Sequence, residues 1–141
     1  MSARSAVLIF RANLFFSFIA GGLLWASGAI PGFDAPVTWM FDLLSWPIDG
    51  NPGALNPTAK FMSAIGGGVL AALGVLNWLL IAPALEAGDR RILNAALASV
   101  FTWFVIDSTG SVLSGNAPNV FFNVVILGLY VTPILAARRN A

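Results

Sequence analysis

The chain of 141 residues contains no cysteine and no histidine, and only 9% of it is charged. Without cysteine there is no disulfide, no reactive thiol and no thiolate ligand for zinc or an iron–sulfur cluster. Without histidine the usual ligand for haem, chlorophyll-type pigments and copper is missing, as is the commonest general base. No cofactor and no metal is expected on these grounds. Charge is scarce and nearly balanced, with a formal net of +1 and no basic run, so a nucleic-acid surface is excluded. The other side of these absences is a hydrophobic content of 58% and a mean hydropathy of +0.85, well outside the range of soluble domains. The composition is that of an integral membrane protein.

Four apolar spans, at about 7–30, 60–81, 92–114 and 118–136, are each near the ~20 residues that a helix needs to cross the hydrocarbon layer. They predict an all-α fold, a four-helix membrane bundle forming a single transmembrane domain over 1–141 with a long connection at 31–59. Arg4 and Arg11 precede an apolar run ending in Ser27-Gly28-Ala29, a pattern compatible with a cleavable signal peptide; an uncleaved helix is the preferred reading. Arg4, Arg11, Arg90, Arg91, Arg138 and Arg139 all fall in the N-terminal segment, the link between spans two and three, or the C-terminal tail. The excess of cations on one side predicts that both termini face the cytoplasm, and a bacterial inner membrane is the expected location.

The connection at 31–59 has its own organisation. Asp34 can cap a short helix that accepts Pro36 in its first turn, and Pro47 ends it. Val37, Met40, Phe41, Leu44 and Trp46 give this segment an apolar side, and Trp39 and Trp46 suit the headgroup level. The expectation is an interfacial helix that either anchors the bundle at the surface or forms a lid over an outward-facing cavity. Within the spans, Ser63, Gly67 and Ala71 recur every four residues, as do Ala64, Gly68 and Ala72, with Ser17/Gly21 and Gly22/Ala26 on the first span. Small residues in such rows let helix backbones approach closely. The triple glycine at 66–68 is read the same way, because no Gly-Lys-Ser/Thr follows it to make a phosphate loop. Asn13 and Asn77 are lone amides suited to bonding across helices.

Polarity is concentrated in DSTGSVLSGNAPNVFFN, residues 107–123. If Gly115 closes the third span and Pro118 opens the fourth, positions equally far from that apex lie at equal depth. Asp107 and Asn123 are each eight residues from it, and Ser111 and Asn119 each four. Helical spacing places Asp107, Ser111 and Ser114 on one face of span three, with Gly110 beside them and Trp103 one turn deeper; Asn123, Ser108 and Ser111 are candidate hydrogen-bond donors to Asp107. It places Asn119, Asn123 and Tyr130 on one face of span four. The two stripes are expected to face each other as a polar seam, since exposure to lipid would leave each unpaired group costing several kcal/mol, about what hydrocarbon transfer demands. Lys60, at the same end of span two, is a possible ion-pair partner for Asp107. Trp103, Phe104, Phe121 and Tyr130 are candidate apolar walls.

Three readings of the seam stay open: a structural knot that fixes helix register, a pocket for a small polar or amphipathic ligand, and a proton or ion path. An enzyme is the weaker class, because no second carboxylate, imidazole or activated serine accompanies Asp107.

The run WFVIDSTGSVLSGNAPNVFFN resembles the core of a family of small bacterial four-span membrane proteins of unknown function, on Trp103, Asp107, Ser108, Gly110, Ser111, Gly115, Asn119 and Asn123. The similarity extends from about Trp46 to the C-terminus and includes the IGGG of residues 65–68. The overall plan is also similar to that of DoxX-like four-helix membrane proteins. Neither resemblance implies an activity. The sequence leads to an accessory or scaffold-type protein of the lipid bilayer, a homo-oligomer or part of a larger membrane complex, through the rows Ser63, Gly67, Ala71 and Gly68. The alternative is a small-solute or lipid-binding or transport protein that uses the seam around Asp107.

Overall fold

A computed structural model describes residues 3–45, 47–51 and 53–139. Among them the secondary structure is entirely helical: α1 (Ala3–Ala29), α2 (Ala35–Leu44), α3 (Pro57–Leu76), a π-helical turn (Asn77–Ile81), α4 (Ala82–Ala87), α5 (Arg90–Leu113) and α6 (Asn119–Arg139). Four helical stretches, Arg4–Ala29, Pro57–Ala87, Arg90–Leu113 and Asn119–Arg139, are long and apolar enough to cross a membrane.

Local chemistry sets the ends of these helices. Asn56 caps α3, its side chain accepting from the Ala59 amide at 2.8 Å, and Pro57 follows at the position where a missing N–H costs nothing. Gly88, at φ +66°, stops the second span. Asp89 then starts the third by accepting from the amides of Arg91 at 3.0 Å and Ile92 at 3.2 Å. So short a link makes spans two and three antiparallel. At the other end of α5, the Asn116 amide donates to the Ser111 carbonyl at 2.8 Å and the Gly115 amide to Val112 at 3.1 Å. Gly115, at φ +84°, supplies the left-handed residue that this helix stop requires.

The second span runs past Ile81, where the sequence places its end. Pro83 looks like a helix stop, since its ring would collide with the carbonyl four residues back. The π-turn removes the conflict: the Ala82 amide donates to Asn77 one residue further back than in an α-helix, and the widened turn carries the chain into α4.

The most extensive helix pair is α1 with α3. A Cβ at Gly67 would lie 2.4 Å from the Trp25 amide nitrogen, and one at Gly28 would lie 2.2 Å from the Lys60 carbonyl oxygen, so only glycine permits this approach. Ser63 adds a hydrogen bond from its hydroxyl to the Leu24 carbonyl at 2.8 Å, and the Ala71 backbone meets Gly21. Of the two predicted rows, Ser63/Gly67/Ala71 thus faces α1. Gly68 does not: a side chain there would meet open space, as would one at Gly22. Rows one residue apart differ by about 100° around the helix, so the second row meets α1 only at one end, where Ala64 lies against Gly28.

At the end holding the termini, Phe10 and Leu14 of α1 interlock with Leu85, Leu93 and Ile134 in a buried cluster. Arg11 pairs with Glu86 at 2.9 Å and lies over Trp78. Asn13 donates to the Leu129 carbonyl at 2.9 Å and Asn77 to the Tyr130 hydroxyl at 3.5 Å, so both lone amides bond to α6. The opposite end, around Gly115, carries α2 and the polar residues.

Candidate functional site: the α5–α6 seam beneath α2

The stop at Gly115 reverses the chain and lays α6 back along α5, which sets Asn119 and Asn123 against the polar face of α5. Each amide group donates twice. The Asn119 Nδ2 reaches Asp107 Oδ2 at 3.0 Å and Ser111 Oγ at 2.9 Å. The Asn123 Nδ2 reaches the same Asp107 Oδ2 and, at 3.2 Å, Ser108 Oγ. Asn123 is buried, whereas Asp107, Ser108, Ser111 and Asn119 are half-buried. Four crossing hydrogen bonds therefore join the two helices over about one and a half turns, and all four use Asn donors and α5 acceptors.

Asp107 is engaged on one side only. Both amides converge on Oδ2, and Oδ1 has no hydrogen-bond partner among the described residues. Three hydroxyls of α5 are bound back to their own helix: Ser111 donates to the Asp107 carbonyl at 2.8 Å, Thr102 to Ala98 at 2.8 Å and Thr109 to Val105 at 2.7 Å. Such back-bonding removes donors that lipid cannot satisfy. The second carboxylate oxygen of Asp107 has no such bond.

Two open depressions meet at this residue. One, of about 400 Å³, lies between Phe41, Leu44 and Ser45 of the α2 end and Ile106, Asp107, Gly110, Ser111 and Ser114 of α5. The other, of about 490 Å³, continues along α5 past Trp103, Thr102 and Ser99. They share Ile106 and Asp107. Helix α2 is held over the first by the Ser45 hydroxyl, which donates to Asn116 Oδ1 in the apex at 2.7 Å.

Several predicted residues lie elsewhere. Lys60 pairs with Asp34 at 2.8 Å, not with Asp107, and the same contact turns the Asp34 side chain away from capping α2. Tyr130 stands about 10 Å further along α6 than Asn123 at 1.5 Å per residue; it packs edge-on against Phe10 and joins the terminal cluster. Phe121 is 69% exposed and packs edge-on against Phe122, so it forms no wall of the seam. Trp103 does line the deeper depression. Trp46 lies outside the described residues. Phe41 and Leu44, which the sequence offers as the apolar side of a lid helix, line the first depression; the residues that sequence reasoning missed are Ser45, Ile106 and Asn116, of which only Ile106, next to Asp107, was signalled.

No family model matches the chain, nor does any curated protein or solved structure.

Proposed function

We propose that this chain is an integral protein of a bacterial inner membrane that binds a small amphipathic ligand in the groove beside Asp107. The observation that carries the reading is the unshared Asp107 Oδ1 at the junction of two open depressions. A seam serving only to fix helix register has no use for an acceptor left open toward a groove, because an intramembrane carboxylate gains by engaging both oxygens. Phe41, Leu44, Ile106 and Trp103 supply the apolar contact that small-ligand sites combine with a few polar groups.

The accessory or scaffold reading keeps one supporting observation. Span α5 is the least covered of the four, with Ile106 66% and Leu113 87% exposed, which suits docking to a second copy or to a larger membrane subunit. Its original motive is weaker, because Ser63, Gly67 and Ala71 are engaged by α1 of the same chain.

One comparison separates the two. The chain and its Ile106→Trp variant, which fills the groove from an exposed position, are purified from membranes and their bound small molecules analysed by mass spectrometry. A species enriched in the native protein and lost from the variant supports the groove. Extracts that both mirror bulk lipid, together with a stoichiometric larger complex, support the accessory reading instead.

A further inference from the structure

Resting on the groove reading, we infer that the ligand is an organic cation, an amphiphile whose ammonium group binds Asp107 Oδ1 while its apolar chain lies along α5. The two depressions share Ile106 and Asp107 and together extend from Ser114 to Ser99. That is a rise of fifteen residue steps, about 22 Å at 1.5 Å per residue, the scale of a lipid chain. The part toward the apex sets Ser114 and Asn116 beside Phe41 and Leu44, and the deeper part sets Ile106 and Trp103 beside Ser99 and Thr102, the Thr102 hydroxyl being bound back to Ala98. A ligand whose ammonium sits at Asp107, where the two depressions share their lining, can lay its apolar chain along Ile106 and Trp103.

The sign of the head's charge follows from what lines the groove. It contains no lysine or arginine, and the seam's amide donors are already bonded to Asp107, Ser108 and Ser111. An anionic head would meet one carboxylate and no cation, with only neutral donors such as the Trp103 indole N–H and the Ser99 hydroxyl to offset the repulsion. The surrounding field has the same sign: Asp34, Asp42, Asp49 and Asp107 against the single Lys60 leave this end at a formal −3, whereas six arginines against Glu86 and Asp89 leave the other at +4. Such asymmetry concentrates cations at the apex end and repels anions. A bare metal ion is the poorer occupant, since no group of three acidic ligands exists among the described residues and half the wall is apolar.

The test uses the full chain in nanodiscs of zwitterionic lipid and three probes that share a ten-carbon chain: decylammonium, decanol and decanoate. Labelled decylammonium is expected to bind saturably above its partition into empty nanodiscs, and both other probes to compete at least about tenfold more weakly, the factor equivalent to ~1.4 kcal/mol. Asp107→Asn keeps an oxygen for the two amides but puts an N–H₂ donor where Oδ1 was, and is expected to weaken decylammonium binding by about tenfold or more. Ile106→Trp is expected to abolish binding. The cation assignment is overturned if decanol or decanoate competes as well as decylammonium while Ile106→Trp still abolishes binding; the groove reading then stands without it. If no probe saturates, or Ile106→Trp changes nothing, the groove reading fails as well. The headgroup series needs no variant, so the assignment is testable even if Asp107→Asn does not fold.

Discussion

At the end of the bundle that holds the termini, Phe10, Leu14, Leu85, Leu93 and Ile134 are each no more than 1% exposed and interlock without a directional bond between them. At the apex end, α5 and α6 are joined by four amide hydrogen bonds, and next to them the structure leaves open volume. Both ends sit in helices that a bilayer would surround, so the hydrophobic effect distinguishes them little: lipid tails are as apolar as leucine. Close packing secures the first through dispersion, which demands that no space remain. Hydrogen bonds secure the second through a few fixed points, and fixed points can hold two helices together while space beside them stays free. The packed end is built for cohesion, and the bonded end can keep a groove without losing its geometry.

The largest effect should come from opening a hole in the packed end. Phe10→Ala removes a fully buried ring and its edge-on contact with Tyr130. It is expected to destabilise the bundle by about 3 kcal/mol. Reversible unfolding in mixed micelles of increasing denaturing detergent measures it; a loss below about 1 kcal/mol would mean that the terminal cluster is not a cohesive unit.

Asn123→Ala strikes the bonded end. It deletes the donors to Asp107 and Ser108 at a buried position and should cost about 1–2 kcal/mol, less than the ring because polar bonds in membranes are individually modest. A double-mutant cycle with Asp107→Ala should return a coupling of about 1 kcal/mol. Additivity of the two changes would deny that the amide and the carboxylate act as a pair. Gly115→Ala forces a side chain into φ +84° and should cost about 1 kcal/mol without touching the seam's partners. Because Ser114 and Asn116 on either side of it line the groove, decylammonium affinity in that variant reports whether the apex keeps its shape.

Much of this geometry is legible in the sequence, for reasons that also mark where legibility ends. Asp107 and Asn123 are equidistant from Gly115 and fall on helical faces, and a short turn leaves antiparallel helices little freedom, so distance along the chain fixes depth. The same reasoning misplaces Tyr130. Eleven residues beyond Asn119 it still lies on the same face of α6, but by then that face meets α1 and Phe10 in place of α5. Periodicity tells which residues share a face, not which helix the face meets. Lys60 is misplaced because its partner Asp34 sits in an irregular connection that no helical period reaches. The end of the second span is missed because nothing local announces that a π-turn will carry the helix on past Pro83. What was invisible is the contact that ties α2 down: Ser45 and Asn116 are 71 residues apart and belong to no common pattern.

That last contact gives the smallest predicted effect and the finest test of the comparison. The Ser45–Asn116 hydrogen bond is exposed, so Ser45→Ala should change global stability by no more than about 0.5 kcal/mol. Its effect belongs to α2 alone. Losing the tie frees one end of a ten-residue helix whose other end remains near the Asp34–Lys60 pair, and α2 should then leave Phe41 and Leu44 less firmly over the groove. Amide hydrogen exchange in α2 should quicken in Ser45→Ala while exchange at the terminal cluster stays unchanged. A thiol placed at Gly110, in this cysteine-free chain, should at the same time react faster with a water-soluble reagent. If exchange quickens equally at both ends, the bundle loosens as one body, and the division into a cohesive end and a hinged, groove-bearing end is wrong.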